Sequence, residues 1–351
     1  MKYFALTLDY ELYGNGMGDV FQHIIEPTNR LLSIAQERNL RYTFFVEMVE
    51  ILQLRKMWDS GEKMGYLMNP VEAMEHQLQQ AYLNGHDVQL HIHPQWMNAE
   101  YIGGKWKVDK SEWRLGGFRN GSLTAMYDML LACKTELEAI IKSVDPNYRC
   151  IAIRAGGYNA MPSEVLVEVM RRLNLRIDSS VVPGAAEDGE LSVYDYSQSP
   201  NDRGYWMVEK ELDVPSKGPE YIIELPIFAC PIRRIVKYFD LERVAALLRN
   251  KKAATEMFEA KAGGKNTSFF QKLGWFFQTE YQTWDFCLFS KGMHRRFLKA
   301  ATMQMKRDCF TLVGHPKSLV STDGFLALIS LLGPNVAYIT VSDFIAEKII
   351  K

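Results

Sequence analysis

Apolar and polar positions along the chain switch between two periods. Tyr3 to Leu8 forms an extended apolar run, Val20 to Arg38 carries apolar residues at helical spacing, and Arg41 to Val46 returns to strand character. The switch recurs. Val71 to Asn84 reads as a helix ahead of a strand at Asp87 to His93, and Ser122 to Val144 as a long helix ahead of a strand at Cys150 to Arg154. Ser163 to Leu173 is helical and Arg176 to Ser180 a short strand; Ile222 to Pro226, Phe310 to Val313 and Ala337 to Val341 read as further strands, with Asp323 to Leu332 helical between the last two. Strands interleaved with helices imply a parallel α/β sheet, and this many units favour a barrel or near-barrel over an open sheet.

One interval does not fit the rhythm. Cys230 to Met305 is longer than a single crossover requires. It contains the aromatic tract Phe269 to Phe277 and many helical spacings, so residues 231–305 read as a helical insertion within one catalytic domain spanning 1–351. A substrate lid, a partner-docking surface and contact with a lipid-linked substrate are the roles open to it, beside plain core packing. Ala253 to Lys265 is polar, ends in Gly-Gly and reads as a mobile surface segment.

The polar residues that interrupt the pattern gather at strand ends. Asp9 follows the first strand, His91 and His93 close the third, Arg154 ends the next, Asp178 follows that one, and His315 follows a late one. All are carboxyl ends, the edge where parallel α/β folds collect binding and catalytic groups. His91 and His93 stand at i and i+2, so on a strand both imidazoles share a face. His86 reads as a cap or a buried hydrogen-bonding residue; His23, His76 and His294 read as surface residues of helices. Gly14-Asn15-Gly16 with Gly18 reads as a flexible turn near the mouth. Composition narrows the partners: a net charge of -1 over 351 residues gives no basic field for nucleic acid, and 47% hydrophobic residues supply a sizeable core. The five cysteines are scattered without a Cys-x-x-Cys pair and read as buried, reduced thiols. No run is long enough to span a bilayer, and Asp9 comes too early for a secretory apolar region, so a cytoplasmic protein is expected.

Taken in order, these segments resemble the motifs of the polysaccharide deacetylases of the nodulation-protein type, carbohydrate esterase family four. Thr7-Leu8-Asp9-Tyr10-Glu11 is similar to that family's Thr-Phe-Asp-Asp motif and Gly85-His86-Asp87 running into His91 to its second. Arg154 to Tyr158 is similar to its arginine motif, Asp178-Ser179-Ser180 to its fourth and Leu312-Val313-Gly314-His315 to its last. The resemblance implies a distorted barrel of about seven strands and metal-assisted removal of the acyl group from an N-acylated sugar. Tyr10 stands where the family has a second, metal-binding aspartate, and Gln95 where it has its second histidine ligand. Strand alternation offers a replacement set of Glu11, His91 and His93, two imidazoles and a carboxylate that suit Zn2+ or a related divalent ion.

Chemical need then distributes the roles. The resemblance implies Asp9 as general base, held ionised by a bidentate Arg154; His315, with an ordinary pKa of about 6.5, is the acid, oriented by Asp178. Trp96, from an aromatic cluster with Tyr101, Trp106 and Trp113, is a candidate sugar contact, together with Tyr10 and Tyr158. The expected function is a metal-dependent deacetylase acting on an N-acetylated saccharide, a cytoplasmic precursor of a surface polysaccharide. Two other functions remain open on the same scaffold: a non-catalytic saccharide binder, which Tyr10 and Gln95 favour, and a metal-independent hydrolase of another C-N bond.

Overall fold

The computed structural model describes residues 2–218, 222–238 and 278–348. Its centre is a set of parallel strands: β1 (Lys2–Tyr10), β2 (Tyr42–Glu47), β3 (Asp87–Ile92), β4 (Ala152–Ala155), β5 (Ile177–Asp178), β6 (Ile222–Glu224) and β7 (Cys309–Gly314). They pair in the order β6-β5-β4-β3-β2-β1-β7. Trp206–Val208 adds an antiparallel strand beside β6, and Val336–Tyr338 pairs with the start of β1.

The two ends of that path meet. Beyond β6 the Ile227 amide donates to Val181 O (2.9 Å), and the Phe228 amide donates to Thr311 O of β7 (2.8 Å). Further along β7 another segment takes over. The Phe286 amide donates to Val313 O (3.0 Å), the Val313 amide to Trp284 O (3.1 Å), and the Trp284 amide to Phe228 O (3.0 Å). The fold is therefore a distorted (β/α)7 barrel whose β6–β7 seam is splayed and filled by residues 284–286.

Side-chain alternation divides the apolar residues into two layers. Phe4, Leu6, Leu8 and Tyr10 of β1 face outward into the large core shared with the helices. Ala5, Phe45, Ala152, Ile177 and Ile223 form a smaller cluster inside the barrel, closed by Ile339, Val341 and Phe344. The surrounding helices are α1 (Glu26–Arg38), α2 (Met48–Asp59), α3 (Pro70–Leu83), α4 (Leu123–Lys142), α5 (Glu164–Arg172), α6 (Lys291–Met303), α7 (Asp323–Leu332) and α8 (Val341–Lys348). All five cysteines are buried, and none is joined in a disulfide. No helix among the described residues is long and apolar enough to cross a membrane.

Two helical boundaries differ from the sequence pattern. The single helix expected over Val20 to Arg38 divides into a wide turn at Val20–Ile25 and α1, because Pro27 has no N–H with which to continue an α ladder. Helix α2 has no counterpart in the sequence reading. It follows β2 without a turn residue between them, capped by Glu47, whose Oε1 accepts from the Val49 amide at 3.0 Å. Of the interval read as a helical insertion, residues 239–277 lie outside the described residues, including the aromatic tract and all of Ala253 to Lys265. Its flanks are strands, Ala229–Arg233 paired antiparallel with Thr279–Thr283, followed by α6.

Phe228 holds the seam by packing on Phe310, Trp284 and Phe297 at ring-centroid distances of 5.0, 5.8 and 6.4 Å. Phe228→Ala is expected to lower the unfolding free energy by about 3–5 kcal/mol, read from chemical denaturation; a loss below about 1 kcal/mol would show that the seam does not depend on this ring.

Candidate active site

The alternation that sorts the core also sorts the chemistry at the end of β1. Thr7, Asp9 and Glu11 enter the barrel mouth, whereas Leu8 and Tyr10 turn out toward the helices. Asp9 is met by Arg154, which lies buried at the matching level of β4. Arg154 Nη1 donates to Asp9 Oδ1 (2.5 Å) and Thr7 Oγ1 (2.9 Å), Nε donates to Ser179 O (2.8 Å), Nη2 donates to Ser179 Oγ (2.9 Å), and the guanidinium lies 4.1 Å over the Phe45 ring. The contact with Asp9 is through one nitrogen rather than the expected bidentate fork, because the other donors are drawn to Ser179.

The second oxygen of Asp9 faces an imidazole. His315 Nε2 is 3.4 Å from Asp9 Oδ2, and His315 Nδ1 is 2.8 Å from Asp285 Oδ2. Asp285 in turn accepts from the Cys287 and Leu288 amides (2.9 and 3.0 Å), which fix its carboxylate. Burial opposes charge on both partners, and the opposite charges overcome it. Asp9 is held well below the usual carboxylate range by Arg154 and the imidazoles, and His315 is raised from 6.5 to about 9 by Asp285 and Asp9. At neutral pH the mouth thus holds an ionised carboxylate against an imidazolium.

A second group adjoins the first. Glu11 Oε2 lies 2.9 Å from His93 Nε2 and 3.5 Å from His91 Nε2, while its Oε1 lies 2.8 Å from Lys317 Nζ. Burial works against the Glu11 carboxylate, yet Lys317, His93 and His91 hold its pKa well below the ordinary value; burial pushes His93 down in spite of Glu11. Two neighbouring carboxyls have no cation in direct contact. Burial raises Glu47 well above its ordinary value and Glu50 to about 8.

Glu11, His91 and His93 place one ligand atom each within 4.8 Å of one another, as do Asp9, Glu11 and His315. Two imidazoles and a carboxylate suit a divalent transition ion. The His91 Nδ1 lies 3.1 Å from Arg154 O; an N–H donated there leaves Nε2 with its lone pair toward Glu11, the arrangement a metal-bound imidazole takes. The donor set therefore fits such an ion through Glu11 Oε2, with Lys317 already on Oε1.

These groups open on a cavity of about 390 Å3 at the carboxyl ends of the strands, walled by Tyr13, Trp113, Tyr158, Leu288 and Phe289. Gly14 and Asn15 of the glycine-rich turn lie at its edge, as expected.

Several expected residues stand elsewhere. Tyr10 is fully buried with its hydroxyl donating to Gln77 Oε1 (2.8 Å), so it is not a substrate contact; it has the wrong parity on β1. Trp96 is buried against Trp106, with ring centroids 5.3 Å apart, and Trp113 is the member of its cluster that reaches the cavity. Tyr158 does line the cavity. Asp178 does not orient His315: its oxygens accept from the Ser180 amide and hydroxyl (2.8 and 3.0 Å), and Asp285 fills that place. His86 accepts from the Tyr42 amide (2.9 Å), as its reading anticipated, and His76 is exposed; His23 and His294 are buried rather than superficial, His294 accepting from Trp284 Nε1 at 2.9 Å.

No family model and no curated protein matches the chain. Solved structures do. The Puue allantoinase covers 99% of this chain and 91% of its own, with 10% identity and a TM-score of 0.48. A probable polysaccharide deacetylase from Pseudomonas aeruginosa PAO1 gives 99%, 91%, 11% and 0.46, and the catalytic domain of a peptidoglycan N-acetylglucosamine deacetylase from Eubacterium rectale ATCC 33656 gives 97%, 90%, 11% and 0.36. Polysaccharide deacetylases and an allantoinase are what this chain resembles in fold. Its chemistry is a matter for its own residues.

Two outcomes are expected here. A group whose folded pKa is raised adds stability below its unfolded value and loses it as pH climbs through the folded one, so His315 stabilises fully below about 6.5 and ceases to do so through about 9. Asp285→Asn should bring the His315 titration, followed by NMR, downward from about 9; an unmoved midpoint would remove Asp285 from this role. At Gly156 an added Cβ would sit 2.3 Å from the His93 ring. Gly156→Ala should lower stability by about 1–3 kcal/mol in denaturant unfolding and shift the His93 imidazole resonances; native values for both would contradict the close packing.

Proposed function

We propose that this chain is a hydrolase that removes the acyl group from an N-acylated saccharide, an N-acetyl group foremost, aided by a divalent metal held by Glu11, His91 and His93, with Zn2+ the ion the donors favour. The observation that carries the reading is the Asp9 carboxyl facing the His315 imidazole, beside that ligand set and on one cavity.

Amide hydrolysis needs an activated water, a stabiliser for the oxyanion and a proton for the leaving amine. The metal, when bound, would acidify its water toward ~7 and polarise the carbonyl. Asp9, fixed by Arg154, accepts the proton of the attacking water. His315, held by Asp285, gives its proton to the departing nitrogen. Trp113 and Tyr158 offer aromatic surface for the apolar face of a sugar ring, and Leu288 and Phe289 add further apolar lining.

Lys317 favours a second reading. Its ammonium already neutralises Glu11, so a metal-independent hydrolase that uses this fixed positive charge is compatible with the same cavity.

Metal analysis of untagged protein separates the two. Near-stoichiometric zinc or another transition ion, lost in His91→Ala, supports the first; no metal in either, even after incubation with zinc, nickel, cobalt and manganese, would move the assignment to the second. With an N-acetylated oligosaccharide as substrate, Asp9→Asn should retain binding and lose about 10²–10⁴-fold in kcat. Binding without turnover in the unmutated protein, whatever the metal, would mark a saccharide binder instead. The alkaline limb of the kcat/KM profile should fall near pH 9, where His315 loses its proton.

A further inference from the structure

We infer that Gln95 is a positioning residue for His93: its side-chain amide sets which ring nitrogen of His93 carries the hydrogen, and so whether Nε2 is open to a metal ion. The inference rests on the metal reading above.

Gln95 is wholly buried, with its Nε2 2.8 Å from His93 Nδ1 and 3.3 Å from Gly14 O. An oxygen in that place would face the Gly14 carbonyl oxygen, so the NH2 group belongs there and one of its hydrogens points at Nδ1. His93 Nδ1 then accepts, the ring hydrogen sits on Nε2, and Glu11 Oε2 receives it at 2.9 Å. In this arrangement Nε2 has no lone pair to offer.

The ring has little freedom to escape, since Gly156 packs against it so closely that even a Cβ would overlap. The amide is the part that can change. Gln95 Oε1 is buried without a hydrogen-bond partner among the described residues, so the amide is only half satisfied as it stands. Turned over, it gives up its bond to Gly14 O, presents Oε1 to Nδ1, moves the hydrogen to that nitrogen and frees Nε2. His91 has no such choice, because the group facing its Nδ1 is the backbone carbonyl of Arg154. One imidazole is thus a committed ligand and the other a conditional one.

Gln95→Glu replaces the reversible amide with a group that only accepts. Long-range 15N–1H correlation spectra of the full metal-free chain should show His93 with hydrogen on Nε2 in the unmutated protein and on Nδ1 in Gln95→Glu. The Zn2+ dissociation constant, from chelator competition, should fall by about 10–100-fold in the variant. Hydrogen on Nδ1 in the unmutated protein, alone or on both nitrogens, overturns the inference whether or not the variant folds. An unchanged tautomer or an unchanged Zn2+ affinity in a folded variant overturns it as well. A tautomer that switches while neither protein binds Zn2+ overturns the metal reading and leaves the control of His93 by Gln95 standing.

Discussion

The buried guanidinium of Arg154 is the constraint on which the barrel mouth depends. A cation with no exposure inside a barrel is tolerable only if its donors are satisfied and its charge is countered. Arg154 meets both conditions by reaching across the lumen. Asp9 and Thr7 on β1 take one nitrogen, Ser179 just past β5 takes the other two, and the ring of Phe45 on β2 lies beneath. Three barrel strands are thus tied to a side chain of a fourth, β4. The same contacts hold Asp9 ionised and in one orientation, so the interaction that stabilises the interior also sets the protonation state of the group that faces the cavity.

Charge around the mouth follows one rule. Carboxyl groups with a cation in reach keep their charge: Asp9 with Arg154 and His315, Glu11 with Lys317. Those with no cation in direct contact are pushed toward the neutral acid, as in Glu47 and Glu50 behind Glu11 and the Asp178–Glu224 pair deeper in the barrel, with burial the leading cause each time and outweighing the more distant Lys317 and Arg154. Burial alone would neutralise every group here. The ones left ionised are those that a water or an amide in the cavity could meet.

Much of this was legible in local sequence. The apolar runs locate the strands, and a period of two is enough to put Asp9 and Glu11 on one face and His91 and His93 on another. The same period, applied strictly, also turns Tyr10 away from Asp9, so its outward position was available from the pattern. Trp96 fails for a different reason: His93 ends the extended chain, and the turn at Pro94–Trp96 carries the indole under the Glu100–Lys107 hairpin instead of along the strand direction. Asp178 satisfies itself within its own turn through Ser180, a local bond that competes with any distant partner. Asp285 and Lys317 were not visible at all. Each belongs to a loop without periodicity, and each matters only through contacts with residues far away in the chain.

Asp285 shows how a defect in the barrel becomes part of the site. If β6 ran alongside β7 for its whole length, the ring would close on itself and Asp285 would not stand at Nδ1 of His315. Instead the two strands part after Thr311, and the backbone groups of Val313 are left to pair with Trp284 and Phe286. Those bonds place the intervening residue, Asp285, at the level of the mouth, where the Cys287 and Leu288 amides hold its carboxylate on Nδ1 of His315. The need to satisfy exposed strand edges draws this segment into the seam. The splay therefore supplies the larger of the two carboxylate contributions to the raised pKa of His315, and a barrel of more regular closure would leave this imidazole with Asp9 alone.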